Sequence, residues 1–191
     1  MGMKISSPVF KNNDYIPSKY SCEGRDINPP LIIEEIPNNT KYLALIMDDP
    51  DAPRGTFVHW VAWNIEAVNE IPEAIPKMHV VTSPISMRQG KNSAYQIGYI
   101  GPCPPVGHGV HHYHFKIYAL DTELDLPESS KKEDLLEAMN GHIIEQAEIV
   151  GLYKRTWVRS NCLYYKLLYF IGLINWKYRR KIMDFKLDLV Q

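Results

Sequence analysis

Several signatures that would name a chemistry are missing from this chain of 191 residues. It has no glycine-rich phosphate loop, no dinucleotide-binding glycine fingerprint, and no serine in a G-x-S-x-G nucleophile elbow. Cys103 lies between two prolines rather than at a strand-to-helix turn. The formal net charge is −1, so no overall field favours nucleic acid, and we expect no nucleic-acid partner. The sequence therefore predicts no cofactor and no nucleophilic catalytic residue.

Cysteine is also scarce. The three cysteines, Cys22, Cys103 and Cys162, are an odd number, lie far apart and form no C-x-x-C pair. This pattern favours a reducing cytoplasm over a disulfide framework. No apolar run follows Met1–Lys4, so we expect no secretory signal and a cytoplasmic location.

Long hydrophobic runs are absent as well, although one segment comes close. The stretch 162–176, CLYYKLLYFIGLINW, spans fifteen residues and contains Lys166, whereas a membrane-spanning helix needs about 20 apolar residues. Residues 1–155 have a net charge of −6 and residues 156–191 a net charge of +5, which together give the −1 of the chain. We therefore expect a domain over 4–155 and a basic, aromatic extension over 156–191. Three states of the extension stay open: packing on the domain or on a second copy, contact with a membrane surface, or disorder.

Short apolar segments between turn clusters dominate the rest of the chain. The predicted strands are Ile5–Phe10, Leu31–Glu34, Tyr42–Met47, Phe57–Ile65 and His111–Leu120. Because no helices connect them, the sequence predicts a mainly β protein with an antiparallel β-sandwich. One helix is predicted from a capping box at Ser130–Glu133, with apolar residues at helical spacing up to Val150 and Gly151 as its end.

Two segments supply residues for a binding site. Asp48, Asp49 and Asp51 follow a buried strand, and like charges so close raise at least one pKa unless donors or a cation compensate. His59 lies ten residues after Asp49, and alternation predicts that it shares a strand face with Phe57, Val61, Trp63 and Ile65. A lone histidine in a buried strand is usually a core residue, but the loop is short enough to bring Asp49 and His59 together.

The second segment, 101–115, reads GPCPPVGHGVHHYHF and contains three prolines, three glycines and four histidines. Such a loop has little conformational freedom to lose on folding, and it leads directly into a strand. Alternation predicts that His111 and Tyr113 point inward and that His112 and His114 point outward. A zinc site built from these histidines and His108 is the alternative, but opposite faces separate the ligands, so we expect no metal. The predicted site holds a phosphate or carboxylate between imidazoles, a phenol and Asp49.

These motifs resemble the phosphatidylethanolamine-binding protein family, most closely its bacterial and archaeal branch of Raf kinase inhibitor-like proteins. The resemblance is carried by DPDAP, HWVAWNI and GYIGPCPPVGHGVHHYHFKIYALD, and it covers about residues 4–155. It implies a β-sandwich with a small anion pocket at one end. Matched residue by residue, the family's pocket falls on Asp49, Pro53, His59, Pro104, His111 and Tyr113.

The resemblance also implies a function. Members bind phospho-ligands and inhibit kinases or serine proteases, so we expect a non-enzymatic binding protein for phosphate-bearing or phosphorylethanolamine-like ligands. Two alternatives stay open: a hydrolase that uses an Asp–His general base, and a protease inhibitor that acts through a loop within 66–86. Similar prokaryotic proteins also suggest a homodimer. The extension 156–191 has no counterpart in this branch, and in animal members the C-terminal segment lies near the pocket.

Overall fold

A computed structural model describes residues 2–156 of the chain. The strands are β1 (Lys4–Ser6), β2 (Asp14–Tyr15), β3 (Leu31–Glu34), β4 (Tyr42–Asp49), β5 (Phe57–Glu66), β6 (Glu70–Ile71), β7 (Val80–Val81), β8 (Met87–Gln89), β9 (His111–Leu120) and β10 (Ile143–Tyr153). The helix α1 covers Lys132–Met139. The predictions for the C-terminal extension concern residues outside the described range. No helix within that range is long and apolar enough to cross a membrane.

The strands form two sheets. The small sheet has the order β1-β3-β6, and the large sheet has the order β2-β10-β9-β4-β5-β8-β7. All pairings are antiparallel except that of β2 with β10, which is parallel. The mainly β class and the sandwich are therefore confirmed, with one parallel pair at an edge of the large sheet.

The main core lies between the two sheets. Leu31, Ile33 and Ile71 of the small sheet pack in one apolar cluster with large-sheet residues such as Trp60 and Phe115. A second cluster covers the other face of the large sheet, where Leu135 and Met139 of α1 pack against it. Because both faces of the central strands are covered, β4 is buried at nearly every position, as its continuous apolar run predicts.

The helix is shorter than predicted. It ends at Met139, and Gly141 then takes a positive φ of 81°, a left-handed conformation that stops a helix. Residues Ile143–Tyr153, predicted as its second half, form β10 and pair with β9 over their whole length. The prediction was wrong because apolar spacing over this stretch fits both periods, whereas its β-branched residues favour a strand. The N-cap is also shifted: the backbone N–H of Lys131, not of Ser130, donates to Asp134 at 2.8 Å.

The prediction that His59 shares one face of β5 with Phe57, Val61, Trp63 and Ile65 was also wrong in part. Val58 pairs with Asp48 and Trp60 with Met47, so His59 is an extra residue in a bulge. Phe57 and His59 do face the same cavity, but Val61 and Trp63 lie on the opposite side, in the cluster beneath α1. A second irregularity, opposite Leu43 and Leu45 of β4, returns Ile65 to the main core. Strict alternation across FVHWVAWNI cannot anticipate either irregularity.

The cysteine prediction was wrong too. Cys22 and Cys103 form a disulfide with a Cα–Cα distance of 5.4 Å, although 81 positions separate them in sequence. Spacing along the chain does not reveal a pair that the fold brings together. The cysteine pattern therefore no longer supports the expected cytoplasmic location. The third cysteine, Cys162, lies outside the described residues.

Candidate anion-binding site

A cavity of about 230 Å³ opens where β4, β5 and β9 meet the 100–105 segment. All six predicted site residues line it: Asp49, Pro53, His59, Pro104, His111 and Tyr113. Six further residues, which the sequence pattern did not predict, line the cavity: Ala52, Phe57, Ile100, Gly101, Cys103 and Pro105. Ala52, Cys103 and Pro105 are chain neighbours of predicted residues, and Phe57 lies two positions before His59 on a strand, so adjacency could have found these four. Ile100 and Gly101 have no such signal.

Asp49 and His111 form a buried pair within this cavity. The His111 ring donates from Nδ1 to Asp49 Oδ2 at 2.7 Å, and both side chains are almost fully buried. The other carboxylate oxygen, Oδ1, accepts from the backbone N–H of Asp51 at 2.9 Å. The second ring nitrogen of His111, Nε2, lies 2.8 Å from Nδ1 of His108. An Asp–His–His chain therefore runs from the cavity wall to the exposed loop.

His108 is a site-associated residue that its sequence position did not reveal. Glycines on both sides of it, Gly107 and Gly109, take positive φ values of 81° and 106°, which turn the loop back toward β9. This turn brings the His108 ring to His111, with 5.0 Å between the ring centroids. The G-H-G triplet is the sequence signal for such a turn.

The ring of His59 is held by Ile100. Nδ1 donates to the carbonyl oxygen of Ile100 at 2.7 Å, and the N–H of Ile100 donates to the carbonyl of His59 at 3.0 Å. Burial lowers the pKa of His59, against the opposing effects of the Ile100 hydrogen bond and the charge of Asp49. A neutral imidazole is therefore the favoured form at neutral pH.

Tyr113 contributes a buried hydroxyl. Its ring packs edge-on against His59, with 5.1 Å between centroids, and stacks near His111 at 6.4 Å. Within residues 2–156 the hydroxyl has no hydrogen-bond partner. Burial is the main cause that raises the pKa of this phenol; the charge of Asp49 and the proximity of its carboxylate to the hydroxyl add to it, so the phenol stays protonated and is a donor. A buried donor without a partner in the wall of a cavity is suited to a ligand acceptor.

Asp48 and Asp49 end β4 and Asp51 lies in the turn after it, and each of the three has a different partner. Asp49 faces His111 in the cavity, Asp51 accepts from the ring of exposed His112 at 2.7 Å, and Asp48 lies on the opposite face with Lys116 and Lys132. His114 pairs outward with Glu148. Among the described residues, no three His, Cys, Asp or Glu side chains converge as metal ligands would.

The family model described as phosphatidylethanolamine-binding protein matches residues 6–154. The chain belongs to the phosphatidylethanolamine-binding protein family. Residues 155–191 lie beyond that match.

Relatives and solved structures agree with this assignment. The UPF0098 protein PH1269 of Pyrococcus horikoshii is 60% identical over 155 residues, which are 81% of this chain and 78% of that protein. A phosphatidylethanolamine-binding protein homolog from Chlamydia trachomatis, CT736, is 41% identical with a TM-score of 0.73, over 81% of this chain and 98% of that one. YbcL of Escherichia coli, a member of the same family, is 30% identical with a TM-score of 0.74, over 81% of this chain and 99% of that one.

Proposed function

We propose that this chain is a non-enzymatic binding protein whose cavity holds a phosphate-bearing anion, such as inorganic phosphate or phosphorylethanolamine. The observation that carries the proposal is the cavity in which the buried Asp49–His111 pair, the His59 ring and Tyr113 meet; the buried Tyr113 hydroxyl has no partner within residues 2–156. An unmade hydrogen bond to a buried group costs about 1–3 kcal/mol, which a ligand oxygen would offset. Membership of the family supports the same function.

The double variant Asp49→Ala, His111→Ala tests this proposal. We expect it to bind phosphate and phosphorylethanolamine at least about tenfold more weakly than the wild type in calorimetry, because the pair shapes one wall of the cavity. Equal affinity would contradict the proposal.

The chain offers a matched control. Asp51, two positions after Asp49, and His112, the residue after His111, form the same kind of pair. Both of these side chains are solvent-exposed and lie outside the cavity. The double variant Asp51→Ala, His112→Ala should therefore keep wild-type affinity. Circular dichroism of both variants checks that the fold is retained.

A hydrolase is the second candidate. The 2.7 Å contact from Asp49 to His111 is the arrangement that orients a general base. Turnover of a phosphate or carboxylate ester that disappears in His111→Ala would favour this function. A broad substrate screen without turnover would count against it.

A further inference from the structure

The disulfide between Cys22 and Cys103 lies beside the anion-binding cavity and within reach of solvent. Cys103 lines the cavity, and both cysteines are exposed residues. Buried structural disulfides resist thiols, whereas an exposed disulfide is open to attack by a thiolate and is the labile kind. The bond is therefore accessible to thiol–disulfide exchange while the protein is folded.

The charges around the two sulfur atoms differ. The guanidinium of Arg155 lies beside Cys103, with 3.6 Å between Nη1 and Sγ, and its Nε contacts Glu23 at 3.4 Å. Glu23 is the residue after Cys22, so a carboxylate lies on that side of the bond. A neighbouring guanidinium favours a thiolate, and a neighbouring carboxylate disfavours one. Cys103 is thus the better leaving group, and Cys22 is the sulfur that a thiolate attacks.

The disulfide also fastens this part of the cavity wall to the loop that contains Cys22. The wall begins at Gly101, whose N–H donates to Asp26 at 2.6 Å. The carbonyl of Pro102 then accepts from the N–H of Cys22 at 3.2 Å. The two residues after Cys103 are prolines, which have no N–H to donate. The bond at Cys103 is therefore the attachment nearest to the proline part of the wall.

We propose that this bond is a thiol–disulfide exchange site for a dithiol reductant, and that its reduction weakens anion binding in the cavity. The second part rests on the anion-binding function proposed above. One thiolate of the reductant attacks Sγ of Cys22, and Cys103 leaves as a thiolate beside Arg155. The second thiol of the reductant then displaces Cys22 from the mixed disulfide. The reductant ends as a disulfide, and the protein ends with two thiols.

The effect on binding comes from the freedom that the wall gains. In the reduced protein the residues around Cys103 are no longer linked to the neighbouring loop, and a ligand has to order them again. Ordering of this kind costs free energy, so we expect phosphate to bind roughly three- to tenfold more weakly to the reduced protein. Oxidation should restore the original affinity.

Calorimetry with inorganic phosphate tests this effect on the full chain with Cys162→Ser, which leaves Cys22 and Cys103 as its cysteines. Oxidised and dithiothreitol-reduced protein are compared, and circular dichroism checks that both are folded. The variant that also carries Cys22→Ser and Cys103→Ser should bind as weakly as the reduced protein and should not respond to dithiothreitol.

The outcomes are distinguishable. Equal affinity in the two states would overturn the redox control and leave the anion-binding function standing. No binding of phosphate to the oxidised protein would overturn the binding function and the redox control together. A reduced protein that unfolds would overturn a local effect on the cavity wall.

Glutathione tests the exchange chemistry independently of phosphate. This monothiol leaves a mixed disulfide on the sulfur that it attacks, while iodoacetamide blocks the thiolate that is released. Mass spectrometry of peptides should find glutathione on Cys22 and the alkyl group on Cys103. Glutathione mainly on Cys103 would overturn the direction of attack, and no reaction in the folded protein would overturn the exchange site.

A variant pair tests the role of the guanidinium. Arg155→Gln should slow reduction by dithiothreitol roughly threefold, because the leaving thiolate loses its positive neighbour. Lys154→Gln is the matched control, since it removes the same charge one residue earlier, where the ammonium lies 5.6 Å from the ring centre of Tyr15. It should react at the wild-type rate. Equal rates in the two variants would overturn the role of Arg155.

Discussion

At the scale of single residues, we expect the Tyr113 hydroxyl to strengthen phosphate binding without stabilising the fold. Replacing it by phenylalanine removes a buried hydroxyl that has no partner within residues 2–156. We expect the free energy of unfolding of Tyr113→Phe to be unchanged or higher by up to about 1 kcal/mol, because no hydrogen bond is lost. Phosphate affinity should fall about tenfold, because the donor to the ligand is gone. Urea unfolding and calorimetry measure the two effects.

Tyr99 provides the contrasting residue. Its buried hydroxyl donates to the carbonyl of Tyr20 at 2.7 Å, so Tyr99→Phe should lower the free energy of unfolding by about 1 kcal/mol and leave phosphate affinity unchanged. A Tyr113→Phe protein that is as destabilised as Tyr99→Phe, with unchanged affinity, would show that the Tyr113 hydroxyl is a structural group.

Alternation along a strand was enough to choose His111 and Tyr113 over His112 and His114. It worked on β9 because no extra residue interrupts this strand; the one irregularity in its pairing with β10 lies in β10, between Ile143 and Glu145, far from His111. It could not identify His108 as the partner of His111, because that contact depends on two glycines with positive φ in the preceding loop. The disulfide that ends at Cys103, in the cavity wall, was missed for a similar reason.

At the scale of elements, Asp48 links α1 to the large sheet. Lys132, the first residue of α1, and Lys116 on β9 both donate to this buried carboxylate. Burial opposes ionisation of Asp48, but the two lysines outweigh it and lower its pKa. The pKa of Asp48 in the folded protein is therefore below its value of about 3.9 in the unfolded chain. The ion pairs of Asp48 with the two lysines stabilise the fold above about pH 4, and this stabilisation is lost as the pH falls through the folded pKa.

Lys132→Met should therefore lower the free energy of unfolding at pH 7 by about 2 kcal/mol, because one partner of a buried charge is removed. The difference from the wild type should shrink as the pH falls below about 4, where Asp48 becomes neutral and no longer needs the lysine. Urea unfolding between pH 7 and pH 2.5 measures this dependence.

The neighbouring Lys131 is the control. It lies next to Lys132 but is exposed, with its ammonium group 5.1 Å from the ring centre of Tyr95. Lys131→Met should change the free energy of unfolding by no more than about 0.5 kcal/mol. A constant difference between Lys132→Met and the wild type at every pH would mean that Asp48 is not the group involved.

The element that sequence analysis assigned wrongly is β10. Its apolar residues fit a helical repeat, and only pairing with β9, from Ile143 with Leu120 to Tyr153 with His111, decides that it is a strand. Gly151, expected as a helix end, lies within β10, where an added Cβ would come within 2.5 Å of Ile16. Close packing of Ile16 is thus the reason for glycine at this position.

At the scale of the whole molecule, the Cys22–Cys103 disulfide joins two distant loops. It closes a loop of 81 positions, for which the loss of chain entropy in the unfolded state corresponds to about 4.5 kcal/mol. The double variant Cys22→Ser, Cys103→Ser should therefore unfold at a lower urea concentration than the wild type. Reducing the disulfide of the wild-type protein should lower its urea midpoint by the same amount.

Cys162 serves as the control, because it is the one cysteine of the chain that is not part of this disulfide. Cys162→Ser should keep the wild-type urea midpoint in oxidising conditions and should still respond to reductant. A wild-type midpoint that does not move on reduction would contradict a stabilising role for the disulfide.

The sequence by itself determined the mainly β class, the central buried strands and the six predicted cavity residues, because these depend on local patterns and on motifs that the family shares. Only the tertiary structure decided that Ile143–Tyr153 is a strand, that His59 occupies a bulge, and that Cys22 meets Cys103. Each of these depends on a partner far away in the chain. The period of apolar residues and the spacing of a motif describe one segment of the chain alone. Strand pairing, disulfide formation and the tautomer of His59 depend on the residues that lie beside that segment in space.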